Sequence, residues 1–304
     1  MVGVACVETA PPPPRSDAAS SERRRRGGPR KGGRTHGHPA PSARSPFPVP
    51  ISHPPAPPFL ALDVGNSSVK GGVWAGRWVR VERWPSRAAT AETWAGRLRE
   101  LAPDVSGVGL ASVVPALTPA LVAAVEAAYA APPAVVSAAS RLPFRVAYRT
   151  PATLGADRLA AAAAAWTLAG GPPVVALDAG TAVTLDVVSA EPAYLGGAIL
   201  PGPDLVRRAL ARDTGQLPDV PFAAPPSPIG ATTAESVRSG LTALVAGGVD
   251  RLLRQTAEAL GAEPAVVVTG GWGPWLAAEL GLGRVEPHLV LDGVRLIAAP
   301  PRGG

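Results

Sequence analysis

From residue 59 onward, short apolar runs that stop at glycine or proline alternate with longer stretches whose apolar positions recur at helical spacing. Two of the runs share a pattern. Residues 59–70 read FLALDVGNSSVK, and residues 174–186 read VVALDAGTAVTLD. A run of this length that stops at glycine predicts a buried strand entering a tight turn. The aspartate at the strand end aims a carboxylate at whatever lies beyond that turn. Glycine permits close backbone approach. The hydroxyls and freed N–H groups that follow form an anion-binding concavity. Either copy alone also fits a strand that ends in an ordinary turn. Two copies fit a pair of facing phosphate hairpins, each carrying a carboxylate, Asp63 and Asp178.

The intervening pattern supplies the other elements. Residues 59–84 predict three strands, the last two joined by Ala75-Gly76-Arg77. Trp94, Leu98 and Leu101 give a helix over 90–101, and residues 105–115 a buried strand stopped by proline. Residues 118–130 predict a helix with Thr118 as N-cap and Pro119 in the first turn, and 134–137 a short strand. Residues 144–148 are extended. Gly155-Ala156-Asp157-Arg158 opens an alanine-rich helix that runs to 168. The second Asp-x-Gly strand leads into a hairpin over 181–199 that turns near Glu191-Pro192, then a helix over 204–212 and a proline-rich loop over 214–229. IGATTAES (229–236) starts a long helix ending near 260. A strand over 265–269 stops at Gly270-Gly271, followed by a helix over 274–280, a short strand at 285–286 and a helix over 291–298. The second half repeats the first, and such internal duplication is itself a sign of fold. The order predicts an α/β protein with two mixed sheets.

Composition changes the picture at the N-terminus. Residues 1–58 hold nine arginines and lysines against three acids, which is the whole formal net charge of +6. The rest of the chain is therefore neutral, and the basic character gives no support to nucleic-acid binding by the folded body. The Pro run 11–14, the Arg run 23–26 and scattered Gly, Ser and Pro predict that residues 1–58 are disordered. Cys6, the one cysteine of the 304-residue chain, lies in this tail, so neither an internal disulfide nor a cysteine zinc site is available. No run of eighteen apolar residues predicts a membrane span.

Chemistry concentrates in a few residues. A metal–phosphate site needs hard oxygen ligands, often one or two carboxylates with water completing the shell, and Asp63 and Asp178 suit it. Phosphoryl transfer asks a protein mainly for positioning and charge neutralisation. No Gly-x-x-x-x-Gly-Lys-Ser/Thr occurs, which excludes a P-loop. Asp157 near a helix N-terminus can accept a substrate proton while Arg158 pairs with an anion; it can equally cap its helix, with Arg158 on the surface. Thr232 and Thr233 carry helix-capping chemistry and can also hold a ligand. Thr269-Gly270-Gly271 suits close approach by a flat group. His288 reads as a surface or packing residue, and most tryptophans as core or interface.

The set DVGNSSVK, ASVVP (111–115), GADR (155–158), DAGTAVTLDVV (178–188), YLGGAILPG (194–202), IGATTAES (229–236) and VVVTGG (266–271) resembles the type III pantothenate kinase family, over about residues 59–298. GADR together with YLGGAI-x-PG is the specific part. The Asp-x-Gly hairpins alone indicate the wider acetate-kinase, sugar-kinase, Hsp70 and actin superfamily. The resemblance implies two duplicated ribonuclease-H-like domains (the actin-like ATPase fold), divided as 59–148 and 149–304. It implies ATP-dependent phosphorylation of pantothenate, the first step of coenzyme A synthesis; the single cysteine fits a reducing, cytoplasmic location. By that match Asp63, Val64, Gly65, Asn66, Ser67, Ser68, Val69 and Lys70 bind the ATP phosphates, with Asp63 near Mg2+ and Thr181 also on ATP. Asp178 binds a monovalent cation, K+ or NH4+. Asp157 accepts the proton of the pantothenate hydroxyl; Tyr148, Gly155, Ala156, Arg158 and Thr233 contact pantothenate. The family is a homodimer with its substrate site at the subunit interface. This chain departs from it at Ser67 and Thr232, where the family has Thr and Asn; the second change removes an amide near the substrate. Lys70, at a position that varies in the family, either assists a phosphate or faces solvent. The alternatives are another small-molecule kinase on this fold, or a non-enzymatic regulatory factor whose basic tail contacts nucleic acid.

Overall fold

The computed structural model describes residues 57–87, 89–225 and 227–299. The tail expected to be disordered lies, up to residue 56, outside the described residues. The first sheet is built from β1 (Phe59–Val64), β2 (Ser68–Trp74), β3 (Trp78–Pro85), β4 (Gly107–Ser112) and β5 (Ala134–Val135), in the order β3-β2-β1-β4-β5. Helices α1 (Ala91–Leu101) and α2 (Thr118–Tyr129) flank β4 in the chain. The second sheet contains β6 (Arg145–Val146), β7 (Val174–Ala179), β8 (Ala182–Val188), β9 (Ala193–Pro201) and β10 (Ala265–Thr269), in the order β10-β7-β8-β9-β6. Its helices are α3 (Ala156–Ala169), α4 (Pro203–Asp213), α5 (Thr233–Leu260), α6 (Gly273–Leu280) and α7 (Leu289–Ala298).

The two sheets follow one plan, as the duplication predicts. β1 pairs antiparallel with β2 and parallel with β4; β7 pairs antiparallel with β8 and parallel with β10. Asp63 stands opposite Lys70, and Asp178 opposite Thr184. Alternation along each first strand then decides where the acids point. Leu60, Leu62 and Val64 face an outer core with Trp94 and Leu98, while Phe59 and Ala61 face a central one. Val175, Leu177 and Ala179 likewise face an outer core, and Val174 and Ala176 the central one. Asp63 and Asp178 continue the central rows by period two, so both carboxylates face the space between the sheets.

That space is filled by α3 and α7. α3 packs on β7 and β8, α7 on β1 and β4, and the two helices pack on each other. Ala160 to Ala165 are all at most 2% exposed. A helix apolar on every side is a buried one, and alanine keeps its neighbours close. The closest approach is at Gly293 of α7, where an added Cβ would lie 1.8 Å from the Ala160 carbonyl oxygen. Two elements cross the chain-order division: β6 joins the second sheet, and α7 packs on the first. We propose 59–148 and 149–304 as domains in chain order, with those two exchanges.

Boundaries differ in places. Thr118 is not an N-cap: Leu117 holds that position, and the Thr118 hydroxyl bonds back to the Val114 carbonyl at 3.0 Å and the Ser112 hydroxyl at 2.7 Å. The strand expected over 134–137 pairs only at Ala134–Val135, and 285–286 contributes a single bridge, Val285 with Val268. Thr232 caps α5, its hydroxyl accepting from the Glu235 N–H at 3.2 Å, while the Glu235 carboxylate accepts from the Ala231 N–H at 2.8 Å. This is the reciprocal box expected of that sequence.

Gly293→Ala sets two effects against each other. Helix propensity favours alanine by about 1 kcal/mol, but forcing a Cβ into backbone costs about 1–3 kcal/mol or more. The variant is expected to unfold at lower urea concentration with an unchanged slope. Gly96→Ala on exposed α1, where nothing lies within 4 Å, is expected to shift the midpoint upward.

Candidate active site

The tips of the two hairpins meet. Gly65 N–H bonds to the Ser68 carbonyl at 3.0 Å, and Gly180 N–H to the Ala182 carbonyl at 2.9 Å, closing two turns of which the second is one residue shorter. Across the gap the Ser67 and Thr181 hydroxyls are 2.8 Å apart. Beneath them lies a cleft of about 210 Å³. Of the residues singled out above, Asp63, Gly65, Asn66, Ser67, Ser68, Lys70, Asp157, Arg158, Asp178 and Thr181 all line it. Lys70 thus faces the cleft. Three acids distant in sequence share one small volume, together with three cations, Lys70, Arg83 and Arg158.

Four expected residues stand elsewhere, and two stand behind the wall. Val64 and Val69 are fully buried in the outer core and hold the hairpin through their mutual pairing. Gly155 and Ala156 line a neighbouring cavity of about 710 Å³ that shares Val113 with the cleft. Tyr148 packs behind Arg158, its ring 6.1 Å from that of Tyr194. Thr233 is exposed at the start of α5 and lines neither cavity.

Local sequence explains how the acids are seated. Asp157 occupies the first turn of α3, where the helix dipole favours a carboxylate. Its Oδ1 accepts the Arg158 N–H at 2.7 Å. A Cβ at position 155 would lie 2.5 Å from that same Oδ1, so glycine there makes room for the carboxylate. Gly270 plays the matching part for Asp178. It adopts φ +90°, and a Cβ would approach Asp178 Oδ1 to 2.4 Å.

The acids repel protons poorly. Burial, the largest cause, pushes the Asp63 pKa up to about 7, with Lys70 opposing and Asp157 and Asp178 adding to the rise. Burial likewise pushes Asp178 up to about 6, with Lys70 opposing and Asp157 and Asp186 adding. Asp157 is raised by burial, against the Arg158 N–H and the Arg158 charge. Carboxylates held this way suit cation binding and proton acceptance near neutral pH. Among the described residues no group of three or more His, Cys, Asp or Glu could hold a metal alone. The cleft instead offers hard oxygens from Asp63, Asp178 and the hairpin hydroxyls. That donor set fits Mg2+, which keeps waters and phosphate oxygens beside one or two carboxylates.

Arg83, Thr184 and Asp186 were not singled out by the sequence reading. Arg83 and Thr184 line the cleft, and Asp186 is fully buried beneath Arg158. A charged residue inside an apolar strand, TLDVV, was the signal for Asp186.

With this geometry in place, comparison with known proteins decides the family. The profile of type III pantothenate kinases matches residues 59–255. The chain belongs to that family. A type III pantothenate kinase of Anaeromyxobacter dehalogenans is 37% identical over 253 residues, covering 79% of this chain and 98% of that protein. One from Moorella thermoacetica is 33% identical over 250 residues, covering 79% and 98%. A solved structure from Campylobacter jejuni, described as a candidate Baf family transcriptional activator, is 20% identical with TM-score 0.52, covering 78% of this chain and 96% of its own, and shows the fold alone. The duplicated ribonuclease-H-like architecture expected above is the one adopted.

The raised acids couple the cleft to stability. At pH 8 Asp63 and Asp178 are ionised both folded and unfolded, and folding bears the cost of burying the charge. Below about pH 7 for Asp63 and about pH 6 for Asp178 the folded state binds protons that the unfolded state does not until about pH 4, so the cost falls as pH falls. Asp63→Asn and Asp178→Asn are each expected to raise the Tm of the ligand-free protein by a few degrees at pH 8 and by less at pH 5. A calorimetric Tm that falls in both variants at pH 8 would contradict this.

Proposed function

We propose that this chain transfers the γ-phosphoryl group of ATP to the primary hydroxyl of pantothenate, giving 4'-phosphopantothenate, the first step of coenzyme A synthesis. The convergence of Asp63, Asp157 and Asp178 on one cleft beneath two hydroxyl-tipped hairpins supports this reading, in a chain that belongs to the pantothenate kinase family. The N–H groups and hydroxyls of residues 65–68 and 180–181 hold the triphosphate, and Lys70 and Arg83 neutralise its charge. Asp157 takes the hydroxyl proton as the new O–P bond forms and the bond to the ADP oxygen breaks. Arg158 pairs with the carboxylate of pantothenate, and Tyr148, Gly155 and Ala156 complete that wall. Asp63 would help hold Mg2+, which supplies charge neutralisation at the phosphates when bound, and Asp178 a K+ or NH4+ ion.

The working unit in this reading is a homodimer. Thr233 contacts pantothenate only if a second copy supplies it. The outward-facing Leu195 and Ile199 of β9 and Leu244 of α5, all exposed, support a covered face. A cytoplasmic location belongs to the same reading; no helix among the described residues is long and apolar enough to cross a membrane.

Incubation with pantothenate, ATP, Mg2+ and K+, followed by mass measurement of the product, tests the reaction. Asp157→Asn is expected to lower kcat about 10²-fold or more; turnover close to that of the unchanged protein removes the general-base role. Activity is expected to require K+ or NH4+, and full activity in Na+ alone would remove the cation from Asp178.

A further inference from the structure

Asp186 is fully buried, yet it is a carboxylate on a strand whose neighbours Leu185, Val187 and Val188 are core residues. Its Oδ1 accepts hydrogen bonds from Arg158 Nε at 2.8 Å and the Tyr194 hydroxyl at 2.6 Å, and ion-pairs with Arg158 Nη2 at 2.7 Å. Its Oδ2 accepts the Thr184 hydroxyl at 3.3 Å. Register explains how these groups meet. Thr184 and Asp186 share one face of β8 by period two, the face on which α3 lies. A bulge between Val187 and Val188 pairs Val188 with Tyr194 and puts Tyr194 on that same face, so its phenol reaches back to Asp186. GADR and YLGGAI, far apart in the chain, thus join at a single carboxylate oxygen.

Buried ion pairs contribute little net stability compared with apolar residues of the same shape. A guanidinium gripped at two nitrogens, by contrast, has lost its rotational freedom. The pair uses Nε and Nη2. The Nη1 edge is the part that Asp186 leaves, on a guanidinium that also hydrogen-bonds Tyr148 and lines the cleft while only 10% exposed.

We infer that Asp186 is a positioning residue that, together with the Tyr194 hydroxyl, locks the Arg158 fork so that its remaining edge is presented to the carboxylate of the alcohol substrate. The inference deepens the reading above and rests on it for the identity of that substrate. A pre-oriented fork supplies binding that is the same in ground and transition states, so its loss appears in KM for the acid-bearing substrate more than in kcat.

The test uses the full chain and four variants. Asp186→Asn keeps the shape and removes the charge. It is expected to raise KM for pantothenate about ten- to a hundredfold, the range of a charged hydrogen bond, with KM for ATP little changed, and to lower Tm because the buried guanidinium loses its counter-charge. Tyr194→Phe is expected to raise the same KM by a smaller factor. Arg158→Ala, and Arg158→Ala combined with Asp186→Asn, should share one KM within about twofold, because Asp186 acts only through Arg158. An unchanged KM in Asp186→Asn, or losses that multiply in the double variant, would overturn the role. A substrate-free readout separates this from the reaction itself. The Arg158 Nε–H resonance, assigned by its loss in Arg158→Ala, is expected to be protected from solvent exchange and to lose that protection in Asp186→Asn. Protection that persists in Asp186→Asn overturns the inference whichever substrate the protein uses; absent turnover of pantothenate by the unchanged protein with protection lost in Asp186→Asn leaves the lock standing and removes the proposed reaction instead.

Discussion

The contact on which the rest depends is the crossing of α3 and α7. Each helix lies on one sheet, and they touch backbone to backbone at Gly293 and Ala160. Larger residues there would hold the sheets further apart, and the Ser67 and Thr181 hydroxyls could not come within 2.8 Å. The alanines of α3 therefore have a structural purpose that their abundance elsewhere in the chain conceals. They set a short distance between two sheets, and that distance sets the width of the cleft. α3 also carries Asp157 and Arg158 on its first turn, so the spacer helix delivers these two groups to the cleft.

Strand alternation supplies the second constraint. Because side chains alternate, an acid that follows two central-core residues must itself face the central space. Burial there raises Asp63 and Asp178 well above the ordinary carboxylate range. By itself this arrangement is unfavourable, and Lys70 offsets it only in part. In the proposed reading, a nucleotide with its cations would remove the imbalance, and the site would be stabilised by its own ligands. Asp186 differs from these acids. Its charge is answered inside the protein by Arg158, and what it adds is direction.

Much of this was legible in the chain. The two Asp-x-Gly runs announced both hairpins and put an acid at the end of each buried strand, and Gly155-Ala156-Asp157-Arg158 marked a helix start that carries a third. What was not legible was mostly a matter of distance in sequence. Thr233 reads as a ligand residue by its motif, but within one copy α5 carries it away from the cleft. Arg83 looks like any exposed strand cation until β2 brings it beside Lys70. Asp186 was visible as a charge in an apolar strand, yet nothing local says that Arg158 will answer it, since the bond spans two elements and needs the β9 bulge to complete it. Thr118 misled because a threonine before proline suits an N-cap, while a nearby carbonyl and the Ser112 hydroxyl took its hydroxyl instead.

The central claim is that two hairpin tips and three acids form one phosphate-transfer cleft. A crystal structure with a non-hydrolysable ATP analogue, Mg2+ and pantothenate tests it most directly. The account predicts the triphosphate between residues 65–68 and 180–181, with the pantothenate hydroxyl about 2.6–3.2 Å from the Asp157 carboxylate. A triphosphate bound outside that cleft, or a hydroxyl directed away from Asp157, would contradict it.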